Sequence, residues 1–210
     1  MTVLLRFVVL PAVLAGAASA NAADTTIDSE PPVTVSATGF YYAMRDQPDF
    51  GVGVASIDRG RLHLEGRYNS EARDAGSLFA GWKFTGGEVV TFEITPIVGV
   101  LFGAARGAIP GIEASVAYGS LDAYIEAEYV YDRENRSDSY YYAWSELGWK
   151  PTEWLRVGLA GQRTRVVQTG REFQRGLFAQ MIVGKMTLGA YLFNPDTGAR
   201  YAIVALGVRL

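Results

Sequence analysis

The sequence predicts an all-β protein: an antiparallel up-and-down transmembrane β-barrel of about twelve strands, with ten as the alternative, behind a cleaved signal peptide. Three observations predict it. Apolar and polar side chains alternate with a two-residue period through to Leu210. Every second connection is a tight turn. Aromatic residues gather at strand ends.

The chain is read as three parts. Residues 1–22 form a secretory signal peptide: Arg6 is the only charge before Asp24, the apolar run Phe7 to Ala18 follows it, and Ala20-Asn21-Ala22 has the cleavage pattern. The rival reading is an uncleaved anchor, but the run is short and broken by Pro11 and Gly16. Residues 23–32 are a loose polar tail ending in Pro31-Pro32, and residues 33–210 are the barrel.

Twelve strands are expected near 33–43, 50–58, 61–70, 77–85, 88–102, 106–119, 121–132, 139–150, 154–168, 173–185, 186–194 and 199–210. The pair flanking Gly103 to Gly111 is the weakest, because Pro96 and Pro110 interrupt it. Asp58-Arg59-Gly60, Gly86-Gly87, Gly119-Ser120, Pro151-Thr152-Glu153 and Gly184-Lys185 are tight turns. The connections between them are mostly longer and more charged. If the first strand runs outward from the periplasm, all five tight turns fall on the periplasmic side, as in transmembrane barrels.

The strand Leu121 to Asp132 shows the two faces most clearly. Leu121, Ala123, Ile125, Ala127, Tyr129 and Tyr131 share one face; Asp122, Tyr124, Glu126, Glu128 and Asp132 share the other. A soluble barrel or sandwich has the same alternation with its apolar face inward. Lipid outside is favoured by Trp149 and Trp154 flanking one tight turn, by Tyr118 beside another, and by Tyr129, Tyr131 and Tyr141 near the opposite ends. These six are the expected interfacial aromatics.

On these features the chain resembles Gram-negative outer-membrane β-barrels as a class; no specific family is matched. The resemblance implies the bacterial outer membrane as location, with its lipids, lipopolysaccharide and the barrel-assembly machinery as partners. Such proteins commonly end in an aromatic residue, and this chain departs from that in ending Gly207-Val208-Arg209-Leu210.

Composition excludes several functions. Without cysteine there is neither a disulfide nor a thiolate site, and a net charge of −3 argues against nucleic acid. No cofactor is expected. Some small outer-membrane barrels resemble lipid hydrolases or acyltransferases with a Ser-His-acid set. The only histidine here, His63, stands in Arg61-Leu62-His63-Leu64-Glu65 with no serine two residues away. No catalytic residue and no metal site are therefore expected; carboxylates alone suit Ca²⁺ at most.

The inward face concentrates the remaining chemistry. Glu93, Glu113, Asp122, Glu126, Glu128 and Glu146 form an expected acidic wall. Arg61, His63, Arg67, Lys83 and Arg156, with Arg209, form a mainly basic one. The walls either set a transverse field across a narrow pore or pair and close the lumen. Arg163 and Arg165 have lipid-facing parity near the outer ends and suit either lipopolysaccharide phosphates or ordinary solvation. Three functions follow: a porin-like channel for small polar or charged solutes, a closed structural or adhesive barrel acting through its outer loops, and a lipid-modifying enzyme. The oligomeric state is not legible.

Overall fold

A computed structural model describes residues 31–70, 75–103, 105–166 and 172–210, apart from the side chains at 165, 166 and 172. The signal peptide, nearly all of the tail and the side chain of Arg165 lie outside the described residues. The strands are β1 (Val33–Met44), β2 (Phe50–Arg59), β3 (Leu62–Asn69), β4 (Ala75–Trp82), β5 (Phe84–Gly86), β6 (Val90–Phe102) and β7 (Gly107–Tyr118). They continue as β8 (Leu121–Asp132), β9 (Tyr140–Thr152), β10 (Leu155–Val166), β11 (Glu172–Val183), β12 (Met186–Phe193) and β13 (Tyr201–Arg209). Sequence neighbours pair antiparallel, except that β4 and β5 both pair with β6, and β1 pairs with β13 from Ser36↔Arg209 to Met44↔Tyr201. Val35 and Leu210 extend that seam with two backbone hydrogen bonds, of 3.1 and 2.7 Å. No sheet edge is left open there.

The thirteen segments make twelve staves, because β4 and β5 lie in one line against β6. Gly81 opposes Ile97 and Phe84 opposes Ile94, so the register is unbroken. The gap at Trp82 and Lys83 faces Thr95 and Pro96. Pro96 has no N–H to donate, and the ladder lapses opposite it. Pro110 acts the same way on its other neighbour: the β7–β8 ladder passes from Ala108↔Tyr131 to Gly111↔Glu128. The prolines that weaken the sequence pattern thus interrupt hydrogen bonds without ending strands.

The tight turns need glycine where φ is positive, as at Gly119 (57°) and Gly184 (58°). Glycine also makes room inside the ring. A Cβ on Gly99 would lie 2.5 Å from the Phe79 ring, and one on Gly148 would lie 2.5 Å from Arg156 Nε. Large inward side chains lie over these bare positions.

The exterior is apolar. Leu78, Val98, Leu147, Leu159, Leu177 and Leu206 are each more than half exposed. Water would penalise such a band heavily, whereas hydrocarbon does not. Among the described residues no helix is long and apolar enough to cross a membrane; the staves form the span. A closed barrel with this exterior belongs in the bacterial outer membrane.

Two connecting loops on the longer-loop side are locally braced. Asp49 accepts from Tyr41 Oη (2.6 Å) and from the Met44 amide (2.8 Å). These bonds, the Tyr41 hydroxyl foremost, hold its carboxyl below the ordinary range. Asp132 Oδ1 accepts from the Glu134 and Asn135 amides at the start of the next loop.

Candidate functional site

The inward side chains are of two kinds, ionic and aromatic, and they interleave: Glu126 and Glu128 lie opposite Trp144 and Tyr142 in register.

Arg67 is the hub of one ionic group. It projects from β3, with its side chain 1 % exposed. Its Nη1 donates to Glu126 (2.6 Å) and Glu128 (2.9 Å) on β8, and Nη2 lies 3.5 Å from Glu113 on β7. Its Nε contacts Glu65 on its own strand. The guanidinium also lies over the Phe79 ring, 4.2 Å from its centre. Four carboxylates therefore share one guanidinium.

Arg156 is the second hub. It contacts Asp122 (Nε 2.9 Å), Glu146 (2.6 Å) and Gln180 (3.1 Å), and lies 4.6 Å from the centre of the Phe178 ring. Tyr191 and Trp144 donate to Glu146 from the other side, at 2.9 and 3.1 Å. Lys150 approaches Asp122 at 4.0 Å. A third, smaller group sits just above the first tight turn. Lys83 reaches Asp58 (3.0 Å) and Glu93 (3.5 Å), and His63 Nδ1 bonds Asp58 (2.7 Å).

The expected two walls are thus interleaved into three mixed-sign groups. Alternation identifies which residues face inward, but not which staves face each other across the ring. Arg61 is a correction. It sits in the turn between β2 and β3 and is exposed, because the strand begins one residue later than predicted. Arg209 is likewise exposed at the end of β13. His63 is buried and bonds a carboxylate, not a serine.

The residues missed by the sequence reading are Asp58, which reads as part of a turn, and the inward aromatics. Phe50 stacks on Tyr42 with ring centres 4.3 Å apart, and Tyr42 lies 6.3 Å from Tyr201. Tyr201 stacks on Phe193 (5.0 Å), and Phe193 packs beside Trp144 (5.4 Å). Tyr201 Oη donates to Gln162 (3.0 Å) or Gln174 (2.5 Å). Trp144 is 1 % exposed and Phe193 is 0 % exposed, so this row is buried inside the ring. Parity shared with Glu146 and Glu128 was the signal that places Trp144 and Tyr142 inside.

On the exterior, Tyr118, Trp149 and Trp154 are more than half exposed beside tight turns. Tyr141 is exposed near the other rim, with Tyr129 against it at 4.6 Å. Tyr131 lies there too, under Arg136 at 6.0 Å. Arg163 is exposed on the outer surface, opposite Ala143 and Phe173 in register. Arg175 contacts Asp196 of the last loop.

No protein-family model and no curated protein matches the chain. Solved structures do. The chain is similar to the KdgM porin, with 9% identity and a TM-score of 0.61 over 83% of this chain and 97% of that one. It is similar to the NanC porin, with 9% identity and a TM-score of 0.60 over 83% and 98%. A second KdgM structure, in complex with disordered oligogalacturonate, matches at 9% identity and TM-score 0.61 over 82% and 97%. At this identity the likeness is one of architecture, and this chain has the closed twelve-stave barrel of an outer-membrane porin.

Proposed function

We propose that this protein is a porin-like outer-membrane channel for small polar solutes, neutral or cationic, with a lumen held narrow by its ionic groups. The observation that carries the reading is the placement of ionisable side chains along the inward face. A barrel that only had to be stable would be better filled with apolar side chains, because each buried ion costs several kcal/mol to desolvate. Asp58, Glu65, Glu93, Glu113, Asp122, Glu126, Glu128, Asp132 and Glu146 face Arg67, Lys83, Lys150, Arg156 and His63. The excess of acid favours cations and disfavours polyanions. The oligogalacturonate held by the KdgM porin is itself acidic, so a different solute class is proposed here.

The test is current through the folded protein in a planar bilayer under a potassium chloride gradient. The expected result is a small conductance with a reversal potential of cation-selective sign. Anion selectivity contradicts the proposed solute class. A correctly folded barrel that passes no current contradicts the channel and favours the second reading, a closed barrel acting through its outer loops. That reading draws on the near-complete burial of Arg67, Arg156, Trp144 and Phe193. Enzymatic activity is not proposed, since His63 faces a carboxylate and lies inside the ring.

Lipopolysaccharide is proposed as a partner at the outer rim, through Arg163 and Arg165. The guanidinium fork suits phosphate, and the expected result is less lipopolysaccharide co-purifying with Arg163→Ala plus Arg165→Ala. Unchanged co-purification rejects the contact.

A further inference from the structure

His63, Glu65 and Glu113 come from β3 and β7, which are separated by one complete stave and by β6. Each places a ligand-type atom within 4.8 Å of the other two. The state of the histidine ring follows from its partner. Asp58 takes Nδ1 at 2.7 Å, and a carboxylate only accepts, so Nδ1 carries the proton. In the neutral ring the lone pair is then on Nε2, which is buried and has no hydrogen-bond partner among the described residues. A carboxylate behind one ring nitrogen, leaving the other as a ligand, is how metal-binding histidines are oriented.

Glu65 repeats the pattern. One oxygen is held by Arg67, while Oε2 is buried and has no hydrogen-bond partner among the described residues. His63 and Glu65 are only 4 % and 3 % exposed, so bulk water does not satisfy these atoms. The composition points the same way. Four carboxyl groups, Glu65, Glu113, Glu126 and Glu128, surround the single guanidinium of Arg67. A divalent cation adds positive charge where acidic groups outnumber basic ones.

We propose that His63, Glu65 and Glu113 bind a divalent cation inside the barrel, with Asp58 as the residue that positions His63. One imidazole nitrogen and two carboxylates suit a borderline ion such as Zn²⁺ better than Ca²⁺, which prefers oxygen alone. Zinc bonds of about 2 Å require the three donors to draw together by about an ångström or more, which side-chain rotation supplies. The ion would tie β3 to β7 across the staves between them. Its position inside the ring also puts it in the solute path.

The experiment is calorimetric titration of the folded full chain, without a histidine tag and stripped with chelator, using ZnCl₂ and CaCl₂ in parallel. Folding is checked by heat-modifiable gel mobility. The expected result is one Zn²⁺ per barrel, with Ca²⁺ much weaker. His63→Gln or Glu113→Gln removes the binding. Asp58→Asn keeps the stoichiometry but weakens affinity by about 10–100-fold, as loss of an orienting carboxylate does. A folded wild-type barrel that takes up no Zn²⁺ overturns the proposal. So does Zn²⁺ binding unchanged in folded His63→Gln, or Ca²⁺ binding as tight as Zn²⁺. Current is not read, so the outcome is independent of whether the barrel conducts.

Discussion

Arg67→Ala is expected to lower the unfolding free energy of the barrel by roughly 3–5 kcal/mol, the usual cost of leaving buried charge uncompensated. Glu65, Glu113, Glu126 and Glu128 all lean on this one guanidinium, and its side chain is 1 % exposed. Losing it leaves four acids facing each other in a confined space. Arg67→Lys is expected to fall between wild type and alanine, because an ammonium keeps the charge but not the planar fork. The measurement is the urea midpoint of the barrel refolded in lipid vesicles, followed by tryptophan fluorescence. Arg61→Ala is the control: this arginine is exposed in a turn, and its loss should shift stability by no more than about 0.5 kcal/mol. Equal midpoints for Arg67→Ala and Arg61→Ala would mean that the lumen acids are solvated individually.

Trp144→Ala is expected to widen the lumen and raise the single-channel conductance severalfold. The indole is 1 % exposed and sits between Phe193 and Tyr191, with ring centres 5.4 and 5.6 Å away. Its Nε1 donates to Glu146, so it links the aromatic row to the Arg156 group. Truncation removes the largest side chain of that row and frees Glu146 from one partner. A stability loss of about 3–5 kcal/mol accompanies the opening, as for other buried tryptophans. The bilayer recording separates the two functional readings. In a channel, the wild type conducts and Trp144→Ala conducts more. In a closed barrel, the wild type is silent, and truncation at a single position leaves Arg67 and its carboxylates across the ring.

Much of the architecture was legible because a barrel strand is a local pattern. Leu121 to Asp132 displays its two faces without reference to any other residue. The prolines were the hardest strand residues to read. Pro96 and Pro110 lose single ladder bonds, and tertiary closure tolerates that loss. The ionic site was legible only in part. His63, Glu113 and Glu128 could be assigned an inward direction, but their partners could not be named. Asp58 looked like turn punctuation, although its carboxylate turns inward to His63 and Lys83.

The sequence by itself determined the all-β class, a barrel of about twelve staves, the position of the tight turns and the two faces of most strands, since all of these depend on neighbours a few residues apart. Only the tertiary structure decided that Arg67 meets Glu126 and Glu128, that Glu113 joins His63 and Glu65, and that a row of aromatic rings from Phe50 to Trp144 packs inside the ring. The physical reason is closure. Joining β1 to β13 brings staves that are not neighbours in the sheet within reach across a lumen one or two side chains wide, and no periodicity along the chain records which chord each side chain spans.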